Sequence, residues 1–166
     1  NSPVGITRNG NAFYVTEAGN HTVRKIDIAT GIVTTFAGAG SPGSSDGPGA
    51  SAQFNAPQGI TTDGTSLYIA DYLNSTVRRI DIASTIVSTL AGSALQFASA
   101  DGTGTAARFR QPTGVTTDGT SVYVVDTFDD TVRKIDIASA LVSTISGSAG
   151  QPGSADGLGP AARFTG

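Results

Sequence analysis

Cysteine, methionine and tryptophan are absent from this 166-residue chain, histidine occurs once as His21, and lysine only as Lys25 and Lys134. Without cysteine there are neither disulfides nor thiolate metal sites. A single histidine rules out a three-ligand zinc site of the catalytic kind, and it gives the many serines and threonines no imidazole base in register. Thirteen acids against ten bases leave a net charge of -3, and so few clustered cations disfavour a nucleic-acid partner. No stretch approaches the ~20 apolar residues of a bilayer-spanning helix, so no membrane role is expected. The chain opens at Asn1 with no signal-peptide pattern, and reads as a mature or excised portion of a protein.

What is present is glycine (22 residues), with serine, threonine and alanine, around a hydrophobic share of 38% and a charged share of 14%. That composition suits short strands joined by turns rather than helices rich in Glu, Lys and Leu. The chain also repeats itself. Pro3, Pro57 and Pro112 recur at steps of 54 and 55 residues, as do Asp27, Asp81 and Asp136, while Phe54, Phe109 and Phe164 recur at steps of 55. The one-residue difference falls in the loop from Ala37 to Asp46, where exposed backbone tolerates it. Three units follow: 1–54, 55–109 and 110–166.

Each unit resolves into four strands. The first, Gly5–Arg8, Gly59–Thr62 or Gly114–Thr117, ends in Asn9-Gly10, Asp63-Gly64 or Asp118-Gly119, pairs that accept the positive φ of a tight hairpin. The second, Phe13–Glu17, Leu67–Asp71 or Val122–Asp126, is almost continuously apolar, the mark of a strand covered on both faces. Tyr14, Tyr68 and Tyr123 repeat with it and read as packing residues. The third runs over Thr22–Ile28, Thr76–Ile82 or Thr131–Ile137. The fourth, Ile32–Phe36, Ile86–Leu90 or Leu141–Ile145, alternates apolar and polar residues like an outer strand.

In the third strand Arg78 shares a face with Ile80 and Ile82, so Arg78, with Arg24 and Arg133, points toward a buried side and needs a partner there. The acid that ends the second strand supplies one. This predicts three ion pairs: Glu17 with Arg24, Asp71 with Arg78, and Asp126 with Arg133. After the fourth strand comes a Gly-, Ser- and Ala-rich loop closing on Asp46-Gly47, Asp101-Gly102 or Asp156-Gly157 and then on Phe54, Phe109 or Phe164. One carboxylate per loop is too few for a calcium cage. The loop therefore reads as a turn plus one helical turn that plugs its Phe between neighbouring units, and no metal or cofactor is expected.

Three equal four-stranded antiparallel meanders make an all-β chain of β-propeller blades. Pro-x-Gly-Ile, Asp-Gly, Leu-Tyr-Ile-Ala-Asp, Asn-x-x-Val-Arg-x-Ile-Asp and Ser-Thr-Leu-Ala-Gly together resemble the NHL repeat, with Asn20-His21 and the following Val23-Arg24 at its name-giving segment. The resemblance covers the whole chain three times over. It implies a ring of six blades, of which this chain forms half as a single module. The long version of the repeat resembles those of large secreted or surface-exposed bacterial proteins, which implies an extracellular or cell-surface bacterial setting. Three blades leave two open edges. Either two copies pair as a homodimer to close the ring, an arrangement that an engineered or evolutionary-model fragment would share, or the chain is a segment of a longer propeller.

A non-enzymatic structural or interaction module follows as the expected function. The rival is a ligand binder, or a lyase- or lactonase-like activity in the central channel, whose wall would carry Thr7, Thr61, Thr62, Thr116 and Thr117. Candidate binding residues lie at the variable tips between second and third strands, where Tyr72, Leu73 and Phe128 are apolar at a solvent-facing turn. His21 sits at the same turn and reads as solvated. Asn20-His21-Thr22 and Asn74-Ser75-Thr76 match a glycosylation sequon but coincide with that turn and read as turn chemistry.

Overall fold

The computed structural model describes residues 1–165, and in them three antiparallel sheets follow one another along the chain. Residue 166, the last of the third unit, lies outside the described residues. The first sheet is the meander β1 (Pro3–Asn9), β2 (Ala12–Glu17), β3 (Thr22–Asp27) and β4 (Val33–Ala37). Then comes β5 (Gly47–Pro48), and after it β6 (Pro57–Thr62), β7 (Ser66–Asp71), β8 (Thr76–Asp81) and β9 (Ile86–Gly92). The third set is β10 (Gly102–Thr103), β11 (Pro112–Thr117), β12 (Ser121–Asp126), β13 (Thr131–Asp136) and β14 (Leu141–Gly147).

The sheets hold four, five and five strands rather than four each. In the second, the added strand is β5, which pairs with β9, placing Gly47 opposite Val87 and Pro48 opposite Ile86. In the third, β10 pairs with β14, Gly102 opposite Val142 and Thr103 opposite Leu141. Each extra strand belongs by sequence to the loop of the preceding unit, and it satisfies backbone groups along an otherwise free edge. A two-residue strand has no hydrophobic period, which is why the sequence pattern does not show it.

The first strands also begin two residues before the expected Gly, at Pro3, Pro57 and Pro112. Proline can open a strand because the missing N–H is not needed there. A register shift then separates Pro57 from Ile60 in the pairing of β6 with β7, and the glycine falls inside it. A Cβ on Gly5 would lie 2.6 Å from the Gln58 carbonyl oxygen, and one on Gly59 would collide with that of Thr113. Glycine is thus required where neighbouring first strands crowd together.

The hairpins follow the sequence closely. Gly10, Gly64 and Gly119 have φ of +54°, +96° and +89°. Asp63 Oδ1 accepts the Thr65 and Ser66 N–H groups at 2.8 and 2.7 Å, and Asp118 repeats the arrangement, so these acids serve the turn.

Two hydrophobic clusters fill the spaces between sheets. Ala12, Tyr14, Val23, Ala37 and Phe54 meet Ile60, Leu67, Ile69, Ile80 and Val87 in one. Tyr68, Val77, Ala91 and Phe109 meet Val122, Val124, Ile135 and Val142 in the other. The middle sheet is covered on both faces, and every residue of β7 is buried. In β2 of the first sheet, by contrast, buried and half-buried residues alternate.

Candidate functional site

The junctions between sheets are built on arginine. Arg78 of β8 is fully buried, and its Nη1 donates to Asp71 Oδ2 at 2.9 Å and to the Gln53 carbonyl at 2.8 Å. Its Nη2 donates to Asp46 Oδ1 at 2.6 Å and to the Ser45 carbonyl at 3.2 Å. The guanidinium carbon lies 5.2 Å from the centre of the Phe54 ring, a cation–π distance. Asp46 also accepts the Thr89 N–H and hydroxyl, both at 3.1 Å. One carboxylate therefore comes from the unit that carries the arginine, while the other, the two carbonyls and the ring come from the preceding loop.

Arg133 repeats the clasp with Asp126 at 3.0 Å, Asp101 at 2.7 Å, the Arg108 and Ala100 carbonyls, and Phe109 at 5.2 Å. Burial pushes the Asp71 carboxyl up to about 6 against the opposing pull of Arg78, and it pushes Asp126 up to about 7, where Asp129 adds repulsion. Burial also works against ionisation of Asp101, but the Thr144 N–H and Arg133 hold its carboxyl below the ordinary range. Two carboxylates share each arginine, so protonating the inner one leaves the cation paired.

Arg24 has only half of this arrangement. Its Nη1 donates to Glu17 Oε2 at 3.2 Å, and its side chain is 29% exposed. Among the described residues Glu17 is its one carboxylate partner. Glu17 also accepts from Asn20, Thr22 and the N-terminal ammonium, each at 3.1 Å. Burial raises its carboxyl, but these bonds with that of Arg24 overcome it and hold it at about 2.

The two end faces of the stack are apolar and open. On the first sheet Ile6 is 62% exposed and Val33 is exposed beside half-buried Phe13, Val15 and Ile26, whereas Ile60, Val87, Leu67, Ile69 and Ile80, at the same positions of the second sheet, are buried. On the third sheet Phe164 is 40% exposed and Val125 is exposed, while their counterparts Phe109 and Ala70 are fully buried. Shallow apolar grooves of about 280 and 260 Å³ run over this face, lined by Tyr123, Val125, Val132 and Phe164 among others.

The expected tip residues have different fates. Tyr72 and Leu73 lie half-buried in a 3₁₀ turn over Tyr72–Asn74, where the Leu73 N–H donates to the Asn55 carbonyl at 3.0 Å. Phe128 is half exposed and borders a groove with Thr127, Pro152 and Thr165. His21 is not simply solvated: it is half-buried, and its Nδ1 accepts the Ala56 N–H of the next unit at 3.1 Å. Asn74 is buried and donates to Asp71 at 2.8 Å and to the Gly43 carbonyl at 2.7 Å. Among the suggested channel threonines, Thr62 and Thr117 donate their hydroxyls to the Ser66 and Ser121 carbonyls inside their own hairpins.

Asp46 and Asp101 were missed as members of the site. The signal for them was present, since a buried guanidinium has five donors and a single carboxylate cannot satisfy it. The same Asp-Gly pair recurs at Asp156-Gly157.

No family model matches the chain. Among curated proteins, Suppressor of quenching 1 of Arabidopsis thaliana is 38% identical over 82 residues, 48% of this chain and 8% of that protein. NHL repeat-containing protein 2 is 30% identical over 93 residues in Gallus gallus, 56% of this chain and 13% of that protein, and 31% identical over 86 residues in Bos taurus, 52% and 12%. The matched stretch thus spans about a tenth of these relatives' length. A solved protein of unknown function from Bacteroides thetaiotaomicron superposes with a TM-score of 0.78 at 23% identity, covering 98% of this chain and 40% of that one. An auxiliary nutrient binding protein from Bacteroides ovatus gives 0.75 at 19% over 98% and 40%. A streptogramin B lyase gives 0.62 at 15% over 92% and 42%. At these identities the likeness to solved structures is one of fold.

Proposed function

Since the chain belongs to the NHL-repeat β-propeller family, we propose that it is a structural and interaction module whose partner is a second copy of itself, three blades from each closing a six-bladed ring. The observation that carries this reading is the pair of end faces. Val33, Val125 and Phe164 are exposed on the open faces, whereas Val87, Val142, Ala70 and Phe109 at the same positions of the internal junctions are buried, and Ile6 is exposed where Ile60 is buried. Burying apolar area of this kind stabilises an association by ~25 cal/mol per Å² before the entropy of association is subtracted. The first face of one copy meets the third face of the other, so a two-fold axis generates both new junctions at once. The role is one of assembly rather than catalysis.

The rival reading has further blades of a longer protein covering the same faces, with a small ligand on the ring axis. Its support is that the chain spans about 40% of the solved neighbours, which include a nutrient binding protein and a lyase. Sedimentation equilibrium separates the two. Self-association gives a mass of about twice 16.6 kDa that falls on dilution. A mass of 16.6 kDa at every concentration overturns the homodimer and leaves the longer propeller.

A further inference from the structure

We infer that Arg24, Thr35 and the free edge of β4 form a docking socket for one particular segment, the loop from Asp156 to Phe164 of a second copy of this chain. The inference rests on the self-association proposed above and names the contacts that would lock it. It follows from the two junctions already formed inside the chain. In both, the loop that closes one blade lays an aspartate on the buried arginine of the next, a threonine from the fourth strand of that blade holds the same aspartate, and a phenylalanine stacks on the guanidinium. Asp46, Arg78, Thr89 and Phe54 do this at the first junction. Asp101, Arg133, Thr144 and Phe109 do it at the second. By the repeat steps of 54 and 55 residues, the third set is Asp156, Arg24, Thr35 and Phe164.

Both halves of that third set are exposed and preformed. On the receiving side, Thr35 is exposed and, among the described residues, Arg24 has Glu17 as its one carboxylate and β4 is the outer strand of the one sheet that has gained no fifth strand. On the donating side, Asp156 is exposed and Leu158 is 92% exposed. The loop nevertheless has the internal loops' fold. The Arg163 N–H donates to the Ala155 carbonyl at 2.9 Å, as Arg108 does to Ala100 at 2.9 Å and Gln53 to Ser45 at 3.0 Å. A 3₁₀ turn spans Gly159–Ala161 as one spans Gly104–Ala106. A loop already ordered without its receptor loses little conformational freedom on docking.

The pairing register carries over as well. Gly157 falls opposite Val33 and Leu158 opposite Ile32, as Gly47 falls opposite Val87 and Pro48 opposite Ile86. Charge agrees, because the socket gains the second carboxylate that the closed clasps have, and a partly desolvated ion pair fixes register and slows dissociation.

The test is a double-mutant cycle on the dimer dissociation constant of the full chain, measured by sedimentation. Asp156→Asn and Arg24→Gln are each expected to weaken association by at least ~10-fold. The double variant should be no weaker than the poorer single one, because the two act on one contact. Asp81→Asn, the same charge change in the middle blade, should leave the constant unaltered, and circular dichroism reports that each variant is folded. A wild-type dimer indifferent to both substitutions, or one whose losses simply add, overturns the socket while self-association stands. A wild-type monomer at millimolar concentration overturns the self-association reading and this docking mode together.

Discussion

Arg78 and Arg24 sit at the same position of the same repeat, on the same side of their sheets, yet one is completely buried between two carboxylates and the other is 29% exposed with one. The local sequence does not account for the difference, since Val77-Arg78 and Val23-Arg24 both follow an acid, a short turn and a threonine. What differs is the neighbour. Arg78 receives Asp46 and Phe54 from the loop of the preceding blade, whereas among the described residues no such aspartate reaches Arg24, whose carboxylate partner is Glu17. A buried arginine is therefore a property of a junction rather than of a blade.

Three measurements would sharpen or break that contrast. The largest expected effect is from Arg78→Ala, which strands buried Asp71 without its cation and should destabilise the fold by roughly 3–5 kcal/mol, the scale for breaking a buried pair. Arg24→Ala, measured on the monomer below the dimer dissociation constant, should lose at most about 1 kcal/mol, as part-exposed pairs do. Equal losses in urea denaturation would mean that burial at the junction does not set the strength of the clasp. Phe109→Ala comes next, at about 3 kcal/mol or more for a fully buried ring. Phe164→Ala in the monomer should remain well below that, because its ring is partly solvated already.

The smallest expected effect is on pH dependence. The ordinary carboxyl value of 3.8 rises to about 6 at Asp71 and about 7 at Asp126 on folding, so the folded chain holds protons that the unfolded chain releases. Their contribution is fully present below about pH 4 and is lost as pH rises through 6 to 7. Glu17 runs the other way, held at about 2 against 4.5, and its contribution disappears only as pH falls toward 2. Between these windows the closed clasps dominate, and the urea midpoint should be higher at pH 5 than at pH 8. In Asp71→Asn that gap should narrow. A midpoint that is higher at pH 8 would contradict the raised carboxyls.

Much of the fold is legible in the residues. Asp63-Gly64 and Asp118-Gly119 announce their hairpins because the aspartate accepts local N–H groups and the glycine takes a positive φ, both short-range effects. The unbroken apolar run from Leu67 to Ala70 likewise announces a strand covered on both sides. The ion-pair positions of the acid and the arginine follow from strand alternation alone. The role of Asp46 does not, because an aspartate beside a glycine looks the same whether it caps its own turn, as Asp63 does, or crosses to another blade. His21 was misread for the same reason: its partner, Ala56, is 35 residues away.

The sequence by itself determined the periodic part of this protein: three equal repeats, their hairpins, the inward arginines and the apolar faces. Those follow from side-chain alternation and turn chemistry, which act over a few residues. Only the tertiary structure decided which repeats are complete. The loop of one unit becomes the fifth strand and the second carboxylate of the next, a contact made across more than thirty residues that depends on how the sheets stack. Identical motifs therefore end up buried in the middle of the chain and open at its two ends.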